Sequence, residues 1–297
     1  MAGLILVVFI FLVLFSIRFR IAIMNPFKTI GYAVYDAVTY IAYKEYNICP
    51  VGDLNAYVAH FGGGKTISMV DAAIWMYNRY NNKRFYDRRR KEWVLQKVFT
   101  ISNVDIAGIP CEKLYTLGQV VNYAHKNKKI DEKEHTRTVM IIALDEASSQ
   151  LNSREFRSNI NADYLAVLLA TRHYLMNFWY TTQKFKLTDA LLRSVTQKVI
   201  HCNKQWRFMI QSVYSADEVE LASDITMLQP ISKRGFFIAN KLCDSYDTLA
   251  TVDLLDKSVK HDKMMSEAEI LALRGATNPD NDQISRPSKK YRKRKSA

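Results

Sequence analysis

No two of the four cysteines in this chain (Cys49, Cys111, Cys202 and Cys243) form a C-x-x-C pair, and no histidine cluster stands beside them. That pattern argues against a zinc site and leaves reduced thiols in a cytosolic domain as the default. No internal repeat is visible either. Acidic residues are scarce beside basic ones: 29 Asp and Glu against 42 Lys and Arg give a formal charge of +13. Such a balance suggests a polyanionic neighbour, either nucleic acid or the anionic inner face of a membrane. Apolar residues are plentiful. The 48% hydrophobic and 12% aromatic content argue against overall disorder and fit a packed core. At 297 residues there is room for one large domain, or one domain with appendages.

The N-terminus also lacks two marks of a cleaved leader, a positive segment ahead of the apolar run and an A-x-A site behind it. Residues 2–17 read AGLILVVFIFLVLFSI, with Ser16 the one polar side chain, and Arg18 and Arg20 follow at once. A spanning helix needs roughly 17–25 residues, and Arg18 can snorkel its charge to the interface. Residues 1–24 are therefore expected to form an uncleaved transmembrane anchor. Arg18, Arg20 and Lys28 on its C-terminal side place the following residues in the cytoplasm. Residues 25–52 form a juxtamembrane segment. Within it, 30–43 reads either as an interfacial amphipathic helix with its tyrosines at headgroup level or as a helix packed on the next domain. At the other end, 275–297 is poor in apolar residues and closes in SRPSKKYRKRKSA. It reads as a disordered basic tail, either touching phosphates of DNA or lipid or merely solubilising. The domain proper spans 53–274.

Residues 54–61 (LNAYVAHF) read as a strand, and Gly62, Gly63, Gly64, Lys65 and Thr66 follow. Ile67, Val70, Ile74 and Tyr77 then recur at helical spacing. Strand, glycine-rich turn, GKT and helix form the context of a phosphate-binding loop for ATP. The glycines let backbone N–H groups converge on the phosphates, and the helix N-terminus adds its positive end. Lys65 would reach the β- and γ-phosphates, and the Thr66 hydroxyl would ligate Mg²⁺. One departure stands out: Ala59 occupies the place of the first glycine of G-x-x-x-x-G-K-[ST]. A glycine-rich hairpin turn is the bland alternative.

Residues 138–144 (TVMIIAL) are too short for most helices and rich in β-branched residues, as in a parallel strand buried on both faces. They end in Asp145 and Glu146, carboxylates at the mouth of an α/β sheet. Asp145 can hold Mg²⁺ through water, and Glu146 can polarise the attacking water. A third strand, 177–182 (NFWYTT), ends in Gln183, which can contact the γ-phosphate or that water. Helices expected over 162–176 and 187–195 carry Arg172 and Arg193, candidates for an arginine finger acting on a neighbouring subunit.

In this order the segments resemble the FtsK/HerA superfamily of DNA-pumping ATPases, and within it the zonular-occludens-toxin-like assembly ATPases of filamentous phages. The resemblance rests on the phosphate loop, Ile101-Ser102-Asn103-Val104-Asp105, and Leu144-Asp145-Glu146-Ala147. It continues through Arg172-His173, Thr181-Thr182-Gln183, Leu192-Arg193 and Ser245-Tyr246-Asp247-Thr248. It implies an α/β, RecA-like P-loop NTPase with a mainly parallel central sheet flanked by helices, assembled as a homo-oligomeric ring. ATP and Mg²⁺ are the implied cofactors, and DNA, single-stranded in the phage branch, is the implied cargo. The implied setting is the host inner membrane, with phage coat or pore proteins as partners. Nucleotide roles carry over to Lys65 and Thr66, Mg²⁺ and water roles to Asp145 and Glu146, and a sensor role to Gln183. Arg172 is preferred over Arg193 as the finger.

Two basic stretches are candidate DNA contacts. Residues 79–97 interleave Arg79, Lys83, Arg84, Arg88, Arg89, Arg90 and Lys91 with Tyr80, Phe85, Tyr86 and Trp93. The second is HKNKK at 125–129. A solvated helix end and loop is the alternative for the first, and the second carries the same ambiguity. Competing functions are a kinase-type transferase, for which no lid or acceptor signature is visible, and a non-hydrolysing membrane scaffold or effector, against which Glu146 argues. A conjugation- or packaging-type DNA pump is a further alternative.

Overall fold

The computed structural model describes residues 16–115, 117–147, 171–246 and Ala272. The chain divides into two compact units, Met1–Ile48 with Arg84–Trp93 and Cys49–Lys83 with Val94–Ala297.

In the first unit, helix α1 (Ile17–Met24) starts at Ser16, whose hydroxyl accepts the Phe19 N–H at 3.3 Å. Pro26 opens helix α2 (Pro26–Ala42), at a position where the missing proline N–H costs nothing. The helix expected over 30–43 thus begins earlier. Thr39 is the only buried residue on α2, and Phe27, Ile30, Tyr35 and Ile41 are exposed. Among the described residues no helix is long and apolar enough to cross a membrane. Most of the expected anchor (residues 1–15) and the expected basic tail (275–297) lie outside the described residues.

The second unit is built on strand β1 (Leu54–Val58), buried at every position. It is shorter than expected because the chain turns into the glycine loop at Ala59. Helix α3 (Lys65–Tyr80) follows and ends at Asn81. The basic stretch at 79–97, a candidate DNA contact, starts in the last turn of α3 and is then largely a hairpin of β2 (Lys83–Asp87) and β3 (Glu92–Ser102), where the alternative reading had a loop. Its turn is set by Asp87, whose carboxylate accepts the N–H groups of Arg89 (2.8 Å) and Arg90 (3.3 Å). The tip of this hairpin belongs to the first unit. There the Tyr86 N–H donates to the Tyr43 carbonyl at 2.9 Å, and the two rings stack at 4.8 Å.

Strand β4 (Cys111–Lys113) pairs with β3, and helix α4 (Leu117–Glu134), which carries the HKNKK run, leads to β5 (Thr136–Leu144). Asp131 fixes this junction. Its carboxylate accepts the Thr136 hydroxyl and both the N–H and hydroxyl of Thr138, all at 2.7 Å. Strand β6 (Met176–Thr182) is buried throughout, and helix α5 (Ala190–Val195) precedes β7 (Lys198–Gln205). Strand β8 (Phe208–Ser215), helix α6 (Ala216–Leu221), strand β9 (Ser232–Phe237) and helix α7 (Asn240–Cys243) complete the described elements.

The sheet order is β2-β3-β5-β6-β1-β7-β8-β9, with β4 beside β3. Strands β3, β4, β5, β6, β1 and β7 pair in parallel, and β8 and β9 continue antiparallel. The mainly parallel α/β sheet expected from the sequence is present. Residues of β5 alternate between two cores. Met140, Ile142 and Leu144 face Val120 and Tyr123 of α4. Val139, Ile141 and Ala143 face Met69, Val70 and Ala73 of α3. Burial on both faces is what makes the strand an unbroken apolar run.

Candidate phosphate-binding site

Register brings four strand ends to one edge. Val58 lies opposite Thr182, Leu144 opposite Tyr180, and Ser102 opposite Ala143. The residues just beyond them (Ala59, Gln183, Asp145 and Asn103) therefore share the C-terminal mouth of the sheet. Because β6 lies between β1 and β5, its tip stands between the glycine loop and the two acids.

The loop itself explains its glycines. Gly62 and Gly64 have φ of 70° and 85°, in the left-handed region that glycine enters without strain. A Cβ on Gly64 would lie 2.1 Å from Met209 Cε, and one on Gly63 would lie 2.7 Å from Ala59 Cβ. Gly63 thus makes room for the methyl group of Ala59, so the departure from the usual first glycine is accommodated within the loop. The Gly63 N–H closes the turn on the His60 carbonyl at 3.0 Å, and Ser68 N–H begins the helical ladder on Gly64 at 3.1 Å. Lys65 is 9% exposed. Its Nζ lies 3.4 Å from the His60 carbonyl oxygen and 5.7 Å from the Phe61 ring centroid. The ammonium thus sits over the loop, at the N-terminus of α3.

Across the mouth, the Thr66 hydroxyl contacts both carboxylate oxygens of Asp145, at 2.9 and 3.1 Å. The Thr181 hydroxyl donates to the same carboxylate at 2.6 Å and accepts the Glu146 N–H at 2.8 Å. One buried hydroxyl therefore sets the position of both acids. The Asn103 amide clamps the backbone of Asp145, accepting its N–H at 2.7 Å and donating to its carbonyl at 3.0 Å. Glu146 is exposed and has φ of 52°. This is an uncommon conformation for a non-glycine residue, at the point where the strand must turn its second acid away from the first. Asn103 and Thr181 have no individual role in the sequence reading. Both lie in motif segments, yet their clamping depends on contacts across 42 and 36 residues.

Gln183 is half-buried at the tip of β6 and makes no hydrogen bond among the described residues. The arginines do not join this edge in their own chain in the way Lys65 and Asp145 do. Arg172 is exposed in a turn just before β6, at the opposite ends of the strands. The helix expected over 162–176 does not extend to its end: residues 162–170 lie outside the described residues, and 171–175 form a turn. The Leu175 N–H bonds back to the Arg172 carbonyl at 3.3 Å, and Leu175 has φ of 51°. The Arg172 side chain lies over Gly52, where a Cβ would meet its Cγ at 2.4 Å. Arg193, on α5, is tied down. Its Nε reaches both carboxylate oxygens of Glu220 (3.0 and 2.8 Å), and its guanidinium donates to the carbonyls of Lys186 (3.2 Å) and Thr188 (2.5 Å). The helix expected over 187–195 is shorter because Asp189 caps it, accepting the Leu191 N–H at 2.8 Å.

Tyr246 bridges to Ile106, behind the Asn103 turn, while Asp247 and Thr248 lie outside the described residues. His201 sits where β7 passes the end of β1, opposite Val58. Burial, and then the neighbouring His60, hold its imidazole below the usual value of 6.5, with Asp224 pulling the other way.

No protein-family model matches the sequence, and no curated protein matches it. Among solved structures, the chain is similar to the N-terminal domain of zonular occludens toxin from Neisseria meningitidis. The identity is 20% and the TM-score 0.43, over 67% of this chain and 100% of that one. It is also similar to the genome packaging NTPase B204 from Sulfolobus turreted icosahedral virus 2 in complex with ATP-gammaS. There the identity is 11% and the TM-score 0.35, over 56% of this chain and 94% of that one. A third is EssC (ATPases 2 and 3) from Geobacillus thermodenitrificans, with 11% identity and a TM-score of 0.32 over 50% of this chain and 32% of that one. These likenesses concern the fold.

Proposed function

We propose that this chain is a P-loop ATPase that couples ATP hydrolysis to the movement of DNA during virion assembly or genome packaging. The observation that carries the ATPase reading is the contact between Thr66 and Asp145, with Thr181 tying Asp145 to Glu146. Hard oxygen donors from the glycine-loop threonine and the strand-end carboxylate stand within 2.9 Å, a donor set that fits Mg²⁺ shared with nucleotide phosphates. When bound, the ion would neutralise charge on the β- and γ-phosphate oxygens. The backbone of Gly62–Thr66 and the N-terminus of α3 receive the phosphates, and Lys65 supplies a cation to the β- and γ-groups. Glu146, exposed one residue beyond the metal-side acid, takes the proton of the attacking water. Gln183 orients that water or the γ-phosphate between the two motifs.

Arg172 is the better finger because its guanidinium is exposed and has no ion pair among the described residues, whereas Arg193 is held by four hydrogen bonds. Its place at the far end of the strands suits action on a neighbouring subunit, as in a ring of identical chains. The DNA cargo follows from the net charge of +13 and the motif resemblance. The apolar residues 2–17 and the exposed apolar surface of α2 favour a single-pass anchor in the host inner membrane, with the ATPase unit cytoplasmic. Coat or pore proteins would be met there.

The test is ATP hydrolysis by the full chain, with and without single-stranded DNA, beside Lys65→Ala and Glu146→Gln. Turnover that rises with DNA and is lost in both variants is expected. Turnover that survives in Lys65→Ala would overturn the assignment of the site. An oligomeric preparation that binds nucleotide without hydrolysing it would favour the scaffold reading instead.

A further inference from the structure

The antiparallel end of the sheet has a face that the nucleotide site does not use. In β7, β8 and β9, cross-strand register puts Gln205, Phe208 and Phe237 in one row, and Asn203, Ile210 and Gly235 in the next, all on the same face. Trp206 stands at the hairpin tip between β7 and β8. Its ring lies 5.6 Å from Phe208 and 6.1 Å from Phe237, and those two are 5.8 Å apart. The three remain 72%, 53% and 54% exposed. Trp206 also breaks a local rule, with φ of 53° in a hairpin turn where glycine or asparagine is favoured. A bulky exposed ring held in a strained turn calls for a reason outside folding.

Charge narrows the occupant. No Asp or Glu occurs between Asp189 and Asp217, or between Asp224 and Asp244. Lys233 lies on this face, in register with Ser212, and Arg207 flanks it in the hairpin turn; neither has an ion pair among the described residues. Two such faces would repel each other, which disfavours self-pairing. Exposed rings on a sheet face, with a cationic rim and no carboxylate, match the chemistry of unpaired bases on a phosphate backbone.

We propose that the face of β7–β9 centred on Trp206, Phe208 and Phe237 is a stacking surface for the unpaired bases of a single-stranded nucleic acid. This deepens the motor reading, on which it rests for the choice of a polynucleotide cargo. The surface lies on the unit that carries the phosphate loop, and Met209, next to Phe208, packs against Gly64 from the opposite face of β8. Strand β8 thus joins the stacking surface directly to the nucleotide loop.

The test is the anisotropy of a fluorescently labelled oligothymidylate, titrated with the full chain in the absence of nucleotide. Each of Trp206→Ala, Phe208→Ala and Phe237→Ala is expected to weaken binding about tenfold, with basal ATP turnover unchanged. Trp206→Phe keeps a ring and should retain binding while losing the part of the tryptophan quenching that Trp206 contributes. The other single variants and the quenching keep the test decisive if one alanine variant does not fold. Wild-type binding with no loss in any alanine variant overturns the proposal and leaves the ATPase reading standing. So does loss of binding to anionic vesicles, or of self-association, with oligothymidylate affinity unchanged. Loss of turnover in Lys65→Ala with oligothymidylate binding retained separates the two sites.

Discussion

Strands β5 and β8 belong to one sheet but live under different conditions. Along Thr136–Leu144 every residue except Arg137 is buried, and the strand ends in two acids. Along Phe208–Ser215 exposure alternates at first, with Phe208 and Ile210 outward and Met209 and Gln211 inward. The first strand is parallel, with α3 on one face and α4 on the other. The second is antiparallel, with one face open. The contrast accounts for where polar chemistry sits in each. Along β5, polar side chains stand near the two ends and are tied down there, Thr136 and Thr138 to Asp131, and Asp145 just beyond the strand to Thr66 and Thr181. In the antiparallel half, the open face can itself be functional.

The comparison can be pressed hardest at the strand-end acids. Glu146→Gln should lower ATP turnover by about 10²–10⁴-fold, the usual contribution of a general base, while nucleotide binding persists. Single-turnover kinetics beside equilibrium binding would check this. A sharper division comes from truncating one ring in each half. Phe178→Ala, fully buried in β6, should cost about 3–5 kcal/mol of unfolding free energy. Phe208→Ala should stay within about 0.5 kcal/mol. Similar costs in denaturant unfolding would mean that the face of β8 is covered after all.

Thr181→Val tests the hydroxyl that joins the two acids. Leaving the Asp145 carboxylate short of a donor and the Glu146 N–H without an acceptor should cost about 1–3 kcal/mol. It should also weaken turnover more than nucleotide affinity. The smallest effect is at the border between the halves. The His201 imidazole is held below 6.5 in the fold, so the unfolded chain takes up its proton first as pH falls. This contribution to stability is intact above the unfolded value and is lost as pH drops through the folded one. His201→Gln should flatten that part of the denaturant-midpoint profile between about pH 8 and pH 5.

The parallel half was legible in the sequence because burial on both faces writes itself as unbroken apolar runs, and because glycines at 62–64 have few other uses before Lys-Thr. What the sequence hid depends on distance along the chain or on local turns. Asn103 and Thr181 look like ordinary strand ends until Asp145 is brought beside them. Arg172 reads as helical until the turn before β6 is seen, where Leu175 takes a positive φ. At 79–97 the density of charge masks the strand alternation, so the hairpin that Asp87 turns is not visible in the sequence. The meander of β7–β9 has no long apolar run to mark it. Its signal was an absence of acids.

The most direct test of the account is magnesium-dependent binding of ATP to the full chain, measured beside Thr66→Ala, Asp145→Asn and Lys65→Ala. The account predicts that wild type binds ATP more tightly with Mg²⁺ than without it. The first two variants should lose that difference, and Lys65→Ala should lose most of the binding. Affinity that is indifferent to all three substitutions would contradict it.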